Sequence, residues 1–216
     1  VARAMTPGVK YDYMPILAGP QGIGKSTFLR ILGKCWYSDS LSTFEGKEAA
    51  EMVQGVWINE LGELNGLTRS ETNAVKQFLS RTEDIFREPY GRRTNVYPRR
   101  CVFFGTTNES EFLRAGNRRF WPVDVGLQAP AKDVFRQLEL EVNQIWAEAF
   151  VYWQLGEPLF LSGEAEMIAR QQQEEHRESN TKEGIIREFI ERPIPINWDK
   201  RDLNERRMYW AGEFTK

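Results

Sequence analysis

Histidine and cysteine are scarce: one histidine and two cysteines in 216 residues. The lone His176 lies in a charged helical stretch, which argues against a histidine-based catalytic centre or metal site and predicts a surface residue. Cys35 and Cys101 sit among apolar residues and predict two buried free thiols in a reducing compartment, with little support for a disulfide or zinc site. No apolar run approaches the roughly 20 residues that span a bilayer. The opening residues Val1-Ala2-Arg3-Ala4-Met5 lack the apolar region of a secretory signal and an initiator methionine. The end, Gly212-Glu213-Phe214-Thr215-Lys216, has no closing motif, so a piece of a longer polypeptide is expected. Excess charge is missing too, with a net charge of −2. That balance hides an asymmetry: Arg87, Arg92, Arg93, Arg99 and Arg100 crowd one segment opposed only by Glu88, whereas residues 164–191 are rich in glutamate.

What is present is a full G-x-x-x-x-G-K-[ST] match: Gly19, Pro20, Gln21, Gly22, Ile23, Gly24, Lys25 and Ser26, followed by Thr27. An apolar run, residues 13–18, precedes it and suits a buried strand. Phe28, Ile31 and Leu32 follow at helical spacing. Strand, glycine-rich turn and helix start converge backbone N–H groups and the helix dipole on a phosphate. Gly22 and Gly24 permit torsions and close approach that a side chain blocks. Lys25 is expected on the β/γ-phosphates, and the Ser26 hydroxyl on Mg²⁺. The chain is therefore expected to bind a nucleoside triphosphate, with ATP the default because no guanine-selective motif is present.

Further along, residues 47–54 suit a short helix with Ala49, Ala50, Met52 and Val53 inward, and Val56-Trp57-Ile58 suits a strand ending in Asn59-Glu60. Thr68-Arg69-Ser70-Glu71 fits a capping box for a helix whose apolar face is Ala74, Val75, Phe78 and Leu79. Residues 85–97 read as a hairpin or exposed loop interrupted by Pro89-Tyr90-Gly91. Residues 101–105 form a buried strand, and 120–125 a further one that Pro122 places at an edge or bulge. A helical stripe runs through residues 132–153, and a polar, solvated helix through 164–180. Strands alternating with helices imply an α/β fold: a mostly parallel sheet flanked by helices, with the ligand at the carboxyl ends of its strands. The expected division is a lead-in at 1–12, a phosphate-loop core at 13–126 and a mainly helical region at 127–216.

Catalytic residues should then lie just past strand ends. Glu60 follows its strand, where a carboxylate can hold Mg²⁺ and orient the attacking water; a surface acid is the bland alternative. Glu63, three residues on, either shares that task or serves helix-start electrostatics. Asn108 either contacts the γ-phosphate or forms a turn. Arg118 and Arg119 suit an arginine finger offered to a neighbouring subunit, or a surface ion pair. Arg87, Arg92 and Arg93 flank Tyr90, combining phosphate-neutralising charge with a ring that stacks on a base. The same arginines could instead brace the subunit.

These residues in this order resemble the virulence-associated protein E family of bacteriophages and mobile elements, whose members look like superfamily 3 helicases of the AAA+ class. The likeness runs through residues 19–27, Trp57-Ile58-Asn59-Glu60-Leu61-Gly62-Glu63-Leu64, Phe78-Leu79-Ser80-Arg81-Thr82-Glu83-Asp84, Arg87-Glu88-Pro89-Tyr90-Gly91-Arg92-Arg93, Phe104-Gly105-Thr106-Thr107-Asn108 and Gly116-Asn117-Arg118-Arg119-Phe120-Trp121-Pro122-Val123. It implies an AAA+-like P-loop NTPase in which residues 19–26 are Walker A and Glu60 with Glu63 form the Walker B region. It further implies that residues 87–93 are a hairpin directed into a DNA channel, Asn108 is the sensor, and Arg118 or Arg119 the finger. Many superfamily 3 members carry two adjacent acids after the Walker B strand, whereas here Asn59-Glu60 is followed by Glu63. Expected partners are single-stranded DNA, further copies in a hexameric ring, and a primase module or replication initiator, in the cytoplasm of a bacterial host. The expected activity is ATP-driven DNA translocation. A small-molecule P-loop kinase and a nucleotide-dependent DNA-binding scaffold are the rival readings.

Overall fold

The computed structural model describes residues 1–62, 69–113, 118–130, 132–177, 190–191 and 198–211. The chain divides into two compact units, Val1–Glu178 and Ser179–Lys216.

In the first unit, five parallel strands form one sheet in the order β2-β3-β6-β1-β7. They are β1 (Met14–Ala18), β2 (Tyr37–Ser38), β3 (Ile58–Leu61), β6 (Val102–Thr107) and β7 (Phe120–Asp124). β4 (Glu83–Phe86) and β5 (Asn95–Pro98) make a separate antiparallel hairpin. A short α1 (Ala2–Met5) opens the unit. The helices α2 (Lys25–Gly33), α3 (Gly46–Met52), α4 (Arg69–Leu79), α5 (Leu138–Gln154) and α6 (Gly163–Glu175) complete it.

Strands covered on both faces read as near-continuous apolar runs, and β1 is buried along its length apart from a half-buried Pro15. Pro15 is tolerated there because pairing with β6 begins only at Ile16. The period of two still sorts the side chains. Met14, Ile16 and Ala18 join Val53, Val75 and Phe78 from the α3 and α4 side, while Leu17 joins Leu29 of α2 and the half-buried Trp146 of α5. Among the described residues β7 pairs with β1 and no other strand, so Pro122 lies on an edge strand as expected.

Four expectations are corrected here. The strand around Glu60 is β3, Ile58–Leu61, so Asn59 and Glu60 lie inside it and are buried instead of following its end. The stripe of residues 132–153 becomes helical only at Leu138, because residues 133–137 form turns on the Asp133 carbonyl. Cys101 is buried but Cys35 is exposed, in the single turn that ends α2. His176 is buried: its Nδ1 donates to the Ser110 carbonyl at 2.6 Å and its Nε2 lies 2.9 Å from Asp124 Oδ1. It thereby ties the end of α6 to β7 and to the segment after β6. The capping Thr68 and most of residues 184–191 lie outside the described residues.

Arg99, read as part of the basic cluster, is instead buried. Its Nε donates to Asp84 Oδ2 at 2.9 Å, its Nη2 to Asp84 Oδ1, and its Nη1 to the Phe78 carbonyl. The guanidinium also lies 4.3 Å from the Phe78 ring centroid. This pair holds the base of the β4–β5 hairpin against α4. At the other end of the chain segment, Arg3 is buried too, donating to the carbonyls of Val9, Cys101 and Arg81.

In the second unit, α7 (Leu203–Ala211) follows a short turn at Trp198–Lys200, and Trp198 packs edge-on against Tyr209 and Trp210.

Asp84→Ala strands a buried guanidinium and is expected to cost about 3–5 kcal/mol, read from urea unfolding. Burial pushes the Cys101 thiol up to about 11. At pH 8 that thiol is overwhelmingly protonated. An aromatic disulfide reagent is therefore expected to titrate one thiol per native chain, Cys35, and two once the chain is unfolded.

Candidate active site

The carboxyl ends of β1, β3 and β6 lie at one end of the sheet, in register Ile16–Gly105 and Glu60–Phe104. That end carries a cavity of about 460 Å³, within the range of ligand pockets. Lys25, Ser26, Thr27, Glu60, Thr106 and Asn108 line it, together with Gln21, Gly22 and Gly24. Eight expected site residues from three separate stretches of chain are thus brought together.

Gly22 and Gly24 both have positive φ, +82° and +95°, and Gly24 is the left-handed residue that starts α2. No side chain caps that helix start and its first turn holds no acid. Its first N–H groups are therefore left for an anion. Lys25 Nζ donates to the carbonyls of Gly19 at 2.6 Å and Pro20 at 2.8 Å, and to Asn108 Oδ1 at 2.8 Å. Desolvation holds the Lys25 ammonium below the usual lysine value, with Glu60 pulling the other way.

Glu60 is the most heavily engaged group. Its Oε1 accepts from Ser26 Oγ at 2.5 Å and Thr106 Oγ1 at 2.8 Å, and its Oε2 accepts from the Tyr37 hydroxyl at 2.6 Å. Tyr37 comes from β2 next to β3, pairing with Ile58. Gly33 makes room for it: a Cβ there would lie 2.6 Å from the Tyr37 Cβ. Burial, then the Glu60 hydrogen bond, push the Tyr37 phenol above its usual range. Tyr37 and Thr106 escaped the sequence reading. Thr106 was legible as a hydroxyl at a strand end, whereas only the sheet order reveals Tyr37 as a neighbour of Glu60.

The donor set suits a triphosphate and a hard cation. Phosphate oxygens match the helix start and Lys25, and Ser26 Oγ with Glu60 supplies oxygen ligands for Mg²⁺. No cluster of three or more acidic, histidine or cysteine side chains exists among the described residues. A cation would then be shared with phosphate oxygens, as Mg²⁺ commonly is. Glu63 lies outside the described residues.

Arg118 and Arg119 are not brought to this cavity. The Arg119 carbonyl accepts from Met14 N–H, and Phe120 pairs with Met14, the first residue of β1. Both arginines therefore lie at the amino end of the sheet, one five-residue strand, roughly 15 Å, from Gly19. Arg119 Nε is 3.3 Å from Asp12 Oδ2, whereas the exposed Arg118 has no ion pair or hydrogen bond among the described residues. Arg87, Tyr90, Arg92 and Arg93 all lie exposed on the β4–β5 connection, with Tyr90 fully solvated at φ +64°. Glu88 accepts from Tyr97, which leaves it engaged within the hairpin.

The profile of the virulence-associated protein E-like domain matches residues 1–178. Among solved structures, the chain is similar to an apo form of the NrS-1 C-terminal region, with a TM-score of 0.52 at 11% identity. That match covers 94% of this chain and 54% of the other, so the chain spans about half its length. A second apo structure of the NrS-1 C-terminal region gives a TM-score of 0.46 at 15% identity, over 82% and 42% of the two chains. No curated protein matches the chain. At these identities the likeness concerns the fold.

Tyr37→Phe is expected to destabilise the protein by about 1–2 kcal/mol, since it strips a charged acceptor of its donor. In a Glu60→Leu background the same change should cost much less. Urea unfolding of the two single variants and the double variant measures that coupling, and additive effects would disprove it.

Proposed function

The chain belongs to the virulence-associated protein E-like family, and from that premise we propose that it is an ATP-hydrolysing motor domain of the AAA+ P-loop type. In this reading it translocates on single-stranded DNA during replication of a phage or mobile element and assembles into a ring, with hexameric closure expected. One observation carries the proposal. Lys25, Ser26, Glu60 and Asn108 converge on one cavity, while the arginine pair sits at the opposite end of the same sheet. A site that needs a guanidinium cannot take it from this pair in its own chain, but a neighbour in a head-to-tail ring can present one.

The roles follow from position. Lys25 neutralises β/γ-phosphate charge, and Asn108, now bound to Lys25, becomes a γ-phosphate or water contact. Ser26 and Glu60 would hold Mg²⁺, which supplies neutralisation of the phosphate oxygens. Glu60, fixed by three hydroxyls, also orients the attacking water. Of the two arginines, Arg119 is tethered to Asp12, which leaves Arg118 as the one offered across the interface. Arg87, Arg92, Arg93 and Tyr90 stand exposed where they suit a nucleic-acid backbone and a stacked base. A primase module or replication initiator would be a further partner.

Arg118→Ala is expected to lower turnover about 10³-fold or more, the usual weight of an arginine finger. Lys25→Ala should abolish it. Mixing the two inactive variants is expected to restore part of the ATPase activity, because some interfaces then pair an intact phosphate loop with an intact Arg118. No recovery would favour a monomeric kinase, and absence of any turnover with DNA in the full-length protein would favour a scaffold. Neutralising Arg92 and Arg93 should remove DNA stimulation while nucleotide affinity stays the same.

A further inference from the structure

The segment between β7 and α5 is seated on the phosphate loop by a series of close approaches. A Cβ at Gly19 would lie 2.2 Å from the Val125 carbonyl oxygen, and one at Gly24 would lie 2.5 Å from Val134 Cγ1 and 3.3 Å from Phe135 Cζ. From the other partner, a Cβ at Gly126, whose φ is +80°, would lie 3.1 Å from Ile23 Cδ1. Three glycines are therefore needed to bring this segment down onto the loop.

Seating it there creates a second cavity, about 590 Å³, lined by Ile23, Val125, Gly126, Pro130, Val134 and Phe135 among others. Phe135 lines this cavity and the phosphate cavity alike, so the two spaces adjoin at its ring. Phe135 is 57% exposed, an apolar side chain held out in solvent beside a polar site. Hydrogen bonds fix the backbone that carries it. Asp133 N–H donates to Gln137 Oε1 at 3.0 Å, Phe135 N–H to Asp133 Oδ1 at 2.8 Å, and Gln137 N–H to the Asp133 carbonyl at 2.8 Å. An aromatic with two side-chain torsions on a held backbone loses little freedom on contact with a planar ligand.

We propose that Phe135, which lines this cavity together with Ile23, forms the slot that takes the nucleobase of the bound triphosphate. The inference rests on the triphosphate reading of the Gly19–Ser26 loop and names the part of the ligand that leaves the loop. Stacking is sequence-tolerant, since every base has a π-face. Asp133, the acid of this cavity, accepts from Phe135 N–H through Oδ1, and Gln128, Lys132 and Gln137 also line the space. The slot should favour purines over pyrimidines by stacked area.

Isothermal titration of the protein with Mg²⁺-ATP and with inorganic triphosphate separates base from phosphate. The wild type should bind ATP more tightly than triphosphate. Phe135→Ala is expected to weaken ATP about 10-fold and leave triphosphate within twofold, and Phe135→Trp is expected to keep ATP affinity. Equal affinity of the wild type for both ligands, or an alanine variant that keeps ATP affinity or loses both ligands alike, overturns the slot while the phosphate site stands. A wild type that binds neither ligand overturns the phosphate reading, and the slot with it.

Discussion

A buried carboxylate must be satisfied or neutralised, and that constraint organises this protein's site. Glu60 sits 4% exposed inside β3, where an unpaired charge would cost several kcal/mol. Three hydroxyls meet it, from α2, β2 and β6. Each donor comes from a different element, so the order of the sheet and the approach of α2 are both required before the charge can be carried. The same contacts place Ser26 and Glu60 together at the start of the helix that Lys25 opens. Folding the sheet and assembling the site are in this respect one event.

Close backbone approach is the second requirement. Gly33 lets Tyr37 in beside Glu60, and Gly19, Gly24 and Gly126 let the post-β7 segment lie on the phosphate loop. Any larger residue at Gly19 would meet a backbone carbonyl, which cannot swing aside as a side chain can. The glycines of the motif thus also admit the chain's own segment, a role that lies outside the motif's usual explanation.

The legible parts of the sequence were local ones. Strand, glycine-rich turn and helix around Lys25 are a contiguous pattern, as is the β4–β5 hairpin, and both appear where the residues put them. What sequence reading missed depends on partners distant in the chain. Arg99 resembled its exposed neighbours Arg92 and Arg93 until Asp84 met it across the hairpin. His176 looked solvated because its helix is polar, yet Asp124 and the Ser110 carbonyl receive it. Glu60 was placed beyond the strand because polarity signals a strand end, and here the polarity is paid for by three hydroxyls. Tyr37 carried no local signal at all.

One residue in β3 breaks the pattern. Asn59 is fully buried, and neither its amide nitrogen nor its oxygen has a hydrogen-bond partner among the described residues. Such groups typically cost about 1–3 kcal/mol when unsatisfied, and the neighbouring core positions Ile58 and Leu61 show what packing alone would select. The penalty falls on the residue next to Glu60 and on the face of the sheet turned away from Ser26 and Tyr37. Local conflicts of this kind concentrate where function outweighs stability. Strand β3 therefore carries two unlike polar residues: one carboxylate fully answered on the side of α2, and one amide unanswered on the side of α3 and α4. An element built only to fill the sheet would have carried neither.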